Sequence, residues 1–158
     1  MDKKHLEYFF ENTAKMQEYE VANYTLPFSL IYKNMFNATE HILKEQFNLI
    51  HSDLDVLAAL YFNGKTLSPT DLYAATVFSS GGMTKVLKKL ELLGYVSRIP
   101  SFLDKRSTLV KIEKKGEEVV EESLKEIMKV NQPMFDILSH EEQVSLKAML
   151  KKLTLSLF

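Results

Sequence analysis

Toward the N-terminus the apolar positions recur every three or four residues. Leu6, Phe9 and Phe10, with Met16 and Tyr19, mark an amphipathic helix. Leu30, Ile31, Met35, Ala38, Ile42, Leu43 and Phe47 mark a second at about 28–48, with Pro27 as the break between them. A third begins at Ser52, whose hydroxyl suits an N-cap. Asp53 and Asp55 then favour its positive end, Leu54, Leu57, Ala58 and Tyr61 form its stripe, and Asn63-Gly64 ends it. Ser68-Pro69-Thr70-Asp71 is a start signal for a short helix at about 69–75. After a connector containing Thr76, Val77 and Phe78, Ser79 opens a helix to Leu93. Its apolar face is Met83, Val86, Leu87, Leu90 and Leu93, and Gly94 is its stop.

The period then changes. Tyr95–Pro100 and Ser107–Glu113 are rich in β-branched and aromatic residues and bracket the polar tip Leu103-Asp104-Lys105-Arg106, which predicts an antiparallel hairpin closed by Gly116. A helix over about 115–131 follows, with Val120, Leu124, Ile127 and Met128 inward and Pro133 as its end. Ser139-His140-Glu141-Glu142 is a capping box for a last helix striped by Leu146, Met149, Leu150, Leu153 and Leu157. The order helix, short helix, turn, helix, hairpin predicts a mainly α chain with a small β-hairpin wing: a winged helix-turn-helix between N- and C-terminal dimerisation helices. Residues 1–48 are assigned to N-terminal dimerisation helices, 49–116 to the lobe, and 117–158 to C-terminal dimerisation helices.

Composition narrows the chemistry. The 158 residues contain no cysteine, which excludes disulfides, thiolate metal sites and thiol redox sensing. No uninterrupted apolar stretch is long enough for a membrane span, and the N-terminus lacks the pattern of a signal peptide, so the expected address is the cytoplasm. The net charge of -1 is unevenly placed. Residues 79–116 hold nine basic and three acidic side chains, a charge of +6, leaving -7 for the rest. A basic block on an acidic body suits a polyanion-binding face.

Within that block the helix at 79–93 turns Ser80, Thr84, Lys85, Lys88 and Lys89 away from its apolar stripe. Ser79 and Ser80 stand at the helix N-terminus, where free N–H groups favour phosphate. Gly81 and Gly82 fall in the first turn, where they weaken the helix but leave room for a close backbone approach. At the hairpin tip, Arg106 suits a narrow minor groove, with Asp104 able to fix its direction. The residues expected to face DNA are Ser79, Ser80, Gly82, Thr84, Lys85, Lys88, Lys89, Arg98, Asp104, Lys105, Arg106 and Ser107.

Residues 67–116 carry S-S-G-G-M-T-K-x-L-x-K-L-E-x-x-G-Y-V, a wing reading D-K-R-S, and K-K-G after the second strand. This stretch, about a third of the chain, closely resembles the DNA-binding lobe of the MarR (multiple antibiotic resistance regulator) family. The flanking helices match in pattern only. The resemblance implies a homodimeric transcriptional regulator, a repressor, bound to an inverted-repeat operator. Its helix 79–93 would lie in the major groove and Arg106 in the minor groove. The large apolar residues outside the lobe, Phe9, Phe10, Phe28, Phe36, Phe47, Phe135 and Phe158, also need partners, which an interlocked dimer would supply; packing within a larger monomer is the alternative.

The resemblance further implies release of DNA by a small phenolic or aromatic anion, with Tyr24, Tyr32, Phe36, His51 and Met83 as candidate contacts. Aromatics and Met at helical spacing are also ordinary core fillers. The four histidines lack close ligand spacing, so no metal and no cofactor is expected. No phosphate-loop, dinucleotide, zinc-protease or nucleophile-elbow motif is present, which argues against an enzyme. The alternative is a winged-helix protein-interaction scaffold with no DNA target; such a helix would expose apolar anchors where this one carries Ser, Thr and Lys.

Overall fold

The computed structural model describes residues 2–76, 82–101 and 108–157. Among these residues are seven α-helices and one small antiparallel sheet: α1 (Lys3–Thr13), α2 (Ala22–Phe47), α3 (His51–Phe62), β1 (Thr66–Leu67), α4 (Pro69–Ala75), α5 (Met83–Leu92), β2 (Val96–Pro100), β3 (Thr108–Ile112), α6 (Lys114–Phe135) and α7 (His140–Leu155). A 3-10 turn at Gln17–Tyr19 lies between α1 and α2. None of the described helices is long and apolar enough to cross a membrane.

Contacts divide the chain into two units, Met1–Thr39 and Glu40–Phe158, so the boundary falls inside α2. In the first unit Asp2 caps α1 by accepting from the His5 N–H at 3.0 Å. The Thr13 hydroxyl at the end of α1 donates to the Asn23 carboxamide oxygen at the start of α2. The expected break at Pro27 does not occur, because α2 begins at Ala22 and runs through the proline. The ring's fixed φ is already helical, and what the helix gives up is one N–H bond to the Asn23 carbonyl.

The second unit holds the apolar core. Leu43, Leu49, Leu57, Leu60, Leu72, Leu90 and Val110 are fully buried, with Leu87, Val96, Ile112 and Val120 beside them. Ile50 rather than Ser52 is the N-cap of α3. Asp53 does the capping that Ser52 was expected to do: its carboxylate accepts the Ile50 N–H at 3.0 Å. At the other end of α3, Tyr61 donates to Glu121 at 2.7 Å and Lys65 pairs with Glu117 at 2.6 Å, which ties α3 to α6. Accepting the phenol's hydrogen bond, Glu121 holds the Tyr61 pKa above its ordinary value. Ser68 caps α4 as expected, accepting from Asp71 N–H at 3.1 Å, with Pro69 in the first turn. Ser139 and Glu142 close the expected capping box of α7.

The sheet has the order β1-β3-β2, one strand more than the expected hairpin. β1 pairs Thr66 with Lys111 and Leu67 with Val110, and two residues are too few to leave a periodic signature. Strands β2 and β3 pair from Val96 opposite Ile112 to Pro100 opposite Thr108. Two further expectations are corrected. Pro133 lies inside α6, which continues to Phe135. Gly116 is the third residue of α6 rather than the close of the hairpin, and it is buried. A Cβ there would sit 2.3 Å from the Tyr95 carbonyl oxygen and 2.9 Å from Ile112 Cγ1. Only glycine permits that approach.

Two measurements test this packing. Gly116→Ala is expected to destabilise the fold by about 1–3 kcal/mol, the range for forcing an extra methyl group into a close-packed site. Urea unfolding with a midpoint equal to wild type would contradict the contact. The second concerns Asp55, on α3. One of its oxygens is sealed from solvent without a hydrogen-bond partner among the described residues, and burial pushes its carboxyl from 3.8 up to about 6. A carboxyl raised in this way favours the fold while protonated. That contribution is complete below about pH 4 and is lost as pH rises through about 6. Asp55→Asn should therefore stabilise the protein at about pH 8, by roughly 1–2 kcal/mol after allowance for solvent screening. The same substitution should do little at about pH 4. Equal effects at both pH values would rule this account out.

Candidate nucleic-acid interface

Each side of α5 has a different environment. At about 100° per residue, Thr84, Lys85, Lys88 and Leu92 fall within one arc of roughly 100°. All four are exposed, Leu92 at 81%. Leu87 and Leu90 are buried on the opposite side, with Met83, Val86 and Leu93 packed half-buried against the core. The two remaining positions, Lys89 and Glu91, lie on the two flanks between these arcs.

Both flanks are pinned. Lys89 Nζ lies 2.5 Å from Asp53 Oδ2, and the Asp53 side chain is 1% exposed. Glu91 Oε1 lies 2.5 Å from Arg98 Nε on β2. The strand register explains the second pair. Arg98 stands opposite Val110 and shares a sheet face with Val96 and Ile112, so it points toward the core side, where α5 lies.

The termini of α5 are also accounted for. Gly82 is the N-cap, with φ −162° and ψ 0°, so it precedes the helix. The expected placement of Gly82 in the first helical turn is corrected, and the helix-propensity cost attached to it falls away. At the other end Gly94 adopts φ +72°, which glycine tolerates, and the chain closes as a Schellman motif. Tyr95 N–H bonds the Leu90 carbonyl and Gly94 N–H the Glu91 carbonyl, each at 3.0 Å. Lys115 donates to the Leu93 carbonyl at 3.1 Å and lies over the Tyr95 ring, 5.2 Å from its centroid.

The basic block thus separates into engaged and free charges. Lys89, Arg98 and Lys115 are held by the fold, and Lys111 and Lys114 approach Glu113 and Glu118 at 3.8 Å. Lys85 and Lys88 have no acidic partner among the described residues, and both point to solvent from α5. Thr84 stands beside them, exposed. Ser79, Ser80, Asp104, Lys105, Arg106 and Ser107 lie outside the described residues.

Asp53 is the residue that sequence reasoning undervalued. It had been assigned only a favourable position near a helix N-terminus. A signal was available: Asp53, Leu57 and Leu60 share one helical stripe, so an acid there enters the core and needs a cation.

The candidate ligand contacts are divided between the two units. Tyr24, Tyr32 and Phe36 belong to the first unit. Tyr24 donates to Glu20 at 3.2 Å and lines a small cavity with Thr13, Ala14, Met16 and Asn23, whereas the Tyr32 and Phe36 ring centroids lie 5.6 Å apart with the planes tilted by 44°. His51 and Met83 belong to the second. His51 Nε2 lies 3.4 Å from Glu40 Oε2, and its backbone N–H donates to the same oxygen at 3.3 Å. Met83 packs half-buried on the core. No group of three His, Asp or Glu side chains among the described residues is arranged to hold a metal ion.

Comparison with known proteins places this geometry. Residues 47–107 match the family model described as the MarR family. A stretch of 92 residues is 36% identical to YdgJ of Bacillus subtilis, an uncharacterized HTH-type transcriptional regulator. That stretch covers 58% of this chain and 56% of the relative. Another of 107 residues is 25% identical to the HTH-type transcriptional regulator PecS of Dickeya dadantii and covers 66% of this chain and 64% of the relative. The chain therefore spans less than two thirds of the length of either relative. Among solved structures, the regulator BldR of Sulfolobus solfataricus superposes with a TM-score of 0.71 at 23% identity, covering 88% of this chain and 98% of that one. A mutant of MarR from E. coli, crystallised in complex with operator DNA, superposes at 0.70 with 21% identity and coverage of 85% and 95%. At these identities the structural likeness is one of fold.

Proposed function

The chain belongs to the MarR family, and from that premise we propose that it is a sequence-specific DNA-binding transcriptional regulator, a repressor acting as a homodimer on an inverted-repeat operator. One observation carries the reading: α5 is sealed on one side, pinned on both flanks, and free only along the arc that bears Thr84, Lys85 and Lys88. A helix held this way is a rigid object of major-groove width with its unpaired cations facing outward. The similarity in fold to a regulator crystallised on operator DNA supports the same reading. The sequence between the wing strands β2 and β3 contains Arg106, which we assign to the minor groove on its sequence. The scaffold alternative is disfavoured, since Leu92 is the single large apolar residue on the exposed arc and a protein-docking helix needs a cluster of them.

The dimer is supported by uncovered apolar surface. No residue of α7 is buried, and Val144, Met149, Leu153 and Leu155 are all more than half exposed. An open groove of about 460 Å³ between the end of α6 and α7 is lined by Phe135, Val144, Leu146 and Leu150. A second copy is the occupant that fits an inverted-repeat reader, because two lobes must be held at a fixed separation on one duplex. Release of DNA by a small phenolic or aromatic anion completes the proposal, with Tyr24, Tyr32, Phe36, His51 and Met83 as the residues to test.

Fluorescence anisotropy on the duplex upstream of its own gene, titrated with salt and then with simple phenolic acids, tests the reading. Lys85→Ala and Lys88→Ala should each weaken binding to any duplex and reduce the salt slope by about 0.9, one phosphate's worth of released counterions. Arg106→Ala should cost about 1–3 kcal/mol on the operator. Unchanged affinity and slope in all three variants would refute the interface. For the dimer, Leu153→Glu should convert a two-fold assembly to monomer in sedimentation velocity and reduce operator affinity with it. A variant that sediments as wild type removes α7 from the interface.

A further inference from the structure

The flank of α5 that faces α3 carries a commitment that the DNA-reading arc does not explain. Lys89 belongs to the basic run of α5, and by sequence it would count as a third phosphate contact. Its ammonium is instead held by a carboxylate that is almost wholly buried. Among the described residues, the other donor to Asp53 is a single backbone N–H, that of Ile50 at 3.0 Å. A Lys89 that swung out to a phosphate would leave a buried carboxylate with one neutral donor, an arrangement far costlier than the phosphate contact is worth. The lysine therefore stays where it is when the protein meets a polyanion.

We propose that Asp53 is a positioning residue for the reading helix and that Lys89 is its anchor rather than a DNA contact. This inference rests on the DNA-binding function proposed above. Burial of Leu87 and Leu90 holds α5 against the core, but apolar contact is non-directional and tolerates a roll of the helix about its own axis. A charged hydrogen bond at 2.5 Å does not. Asp53 is itself fixed, because the carboxylate that grips Lys89 also caps α3. One carboxylate therefore sets the roll of α5 against the first turn of α3. The Glu91–Arg98 pair restrains the opposite flank, but its side chains are 31% and 43% exposed, so solvent screens it more. A small roll would move Lys85 and Lys88 relative to base edges while leaving them close enough to attract phosphates. The pair should therefore act on sequence discrimination and not on general affinity.

The experiment uses full-length protein, a duplex selected on wild type from a randomised pool, and a scrambled duplex of equal composition, each titrated with salt. Lys88→Gln should weaken both duplexes alike and lower the salt slope by about 0.9. Lys89→Gln should leave the slope unchanged and reduce the selected-over-scrambled affinity ratio, on the order of tenfold for a coupled contact of this kind. Lys89→Arg, which keeps charge and donors, should restore the ratio. Asp53→Asn should lower the ratio as Lys89→Gln does, and the double variant should be no worse than either single one. Affinities are referred to the folded, binding-competent fraction, so a loss of stability alone does not move the ratio. If Asp53→Asn fails to fold, the Gln and Arg variants at position 89 still decide the matter. A slope that falls for Lys89→Gln as much as for Lys88→Gln, or a ratio that does not change, overturns the positioning role while leaving DNA binding intact. Wild-type protein that binds neither duplex in a salt-dependent way overturns the functional reading, and this inference with it.

Discussion

Leu87 and Leu90 are sealed into the core of the second unit, and the character of every other side of α5 follows from that burial. Each fully buried leucine contributes roughly 1.5–3 kcal/mol, so the two together hold the helix more firmly than any charged contact on it. With that arc fixed inward, geometry leaves two flanks and one outward face. The flanks carry an acid and a base that find partners on neighbouring elements. The outward face carries the lysines that have none. A reading surface on this chain is thus what remains after the core has taken its share of the helix.

The electrostatics follow the same logic. A basic count over residues 79–116 suggests one broad cationic field. Among the described residues the structure divides it: some cations neutralise acids that the fold has placed beside them, one caps the carbonyl end of α5, and Lys85 and Lys88 are left for an external anion. Charge counted along a sequence measures what a segment contains, whereas binding depends on what it has left over.

Much of this architecture was legible in the sequence. Helix stripes, the Ser68-Pro69 start, the Ser139–Glu142 box and the Gly94 stop are local signals, and local signals survive folding. The two prolines misled because proline was read as a terminator, yet its fixed φ fits a helix and only one hydrogen bond is surrendered. β1 was missed because two residues have no period, and its pairing with β3 is a tertiary event. Ser52 was given a role that Asp53 performs, since capping residues compete over one or two positions and the outcome depends on where the chain turns. The roles of Lys89 and Arg98 were the least visible. Their partners lie 36 positions back and seven positions back, and only the assembled sheet and helices bring them together. On the outward arc, by contrast, Thr84, Lys85 and Lys88 could be read directly, because a helical stripe that is not apolar faces away from the core.

The glycine in the first turn of α6 has a mechanical consequence. Where Gly116 meets Tyr95 there is no side chain between the two backbones, so nothing at that point can reorient to absorb a displacement. The head of β2 and the first turn of α6 consequently pivot as a single stiff piece. Bending of the long helix has to be taken up farther along its length, and the wing strands inherit the heading of its first turn, not that of its distant end.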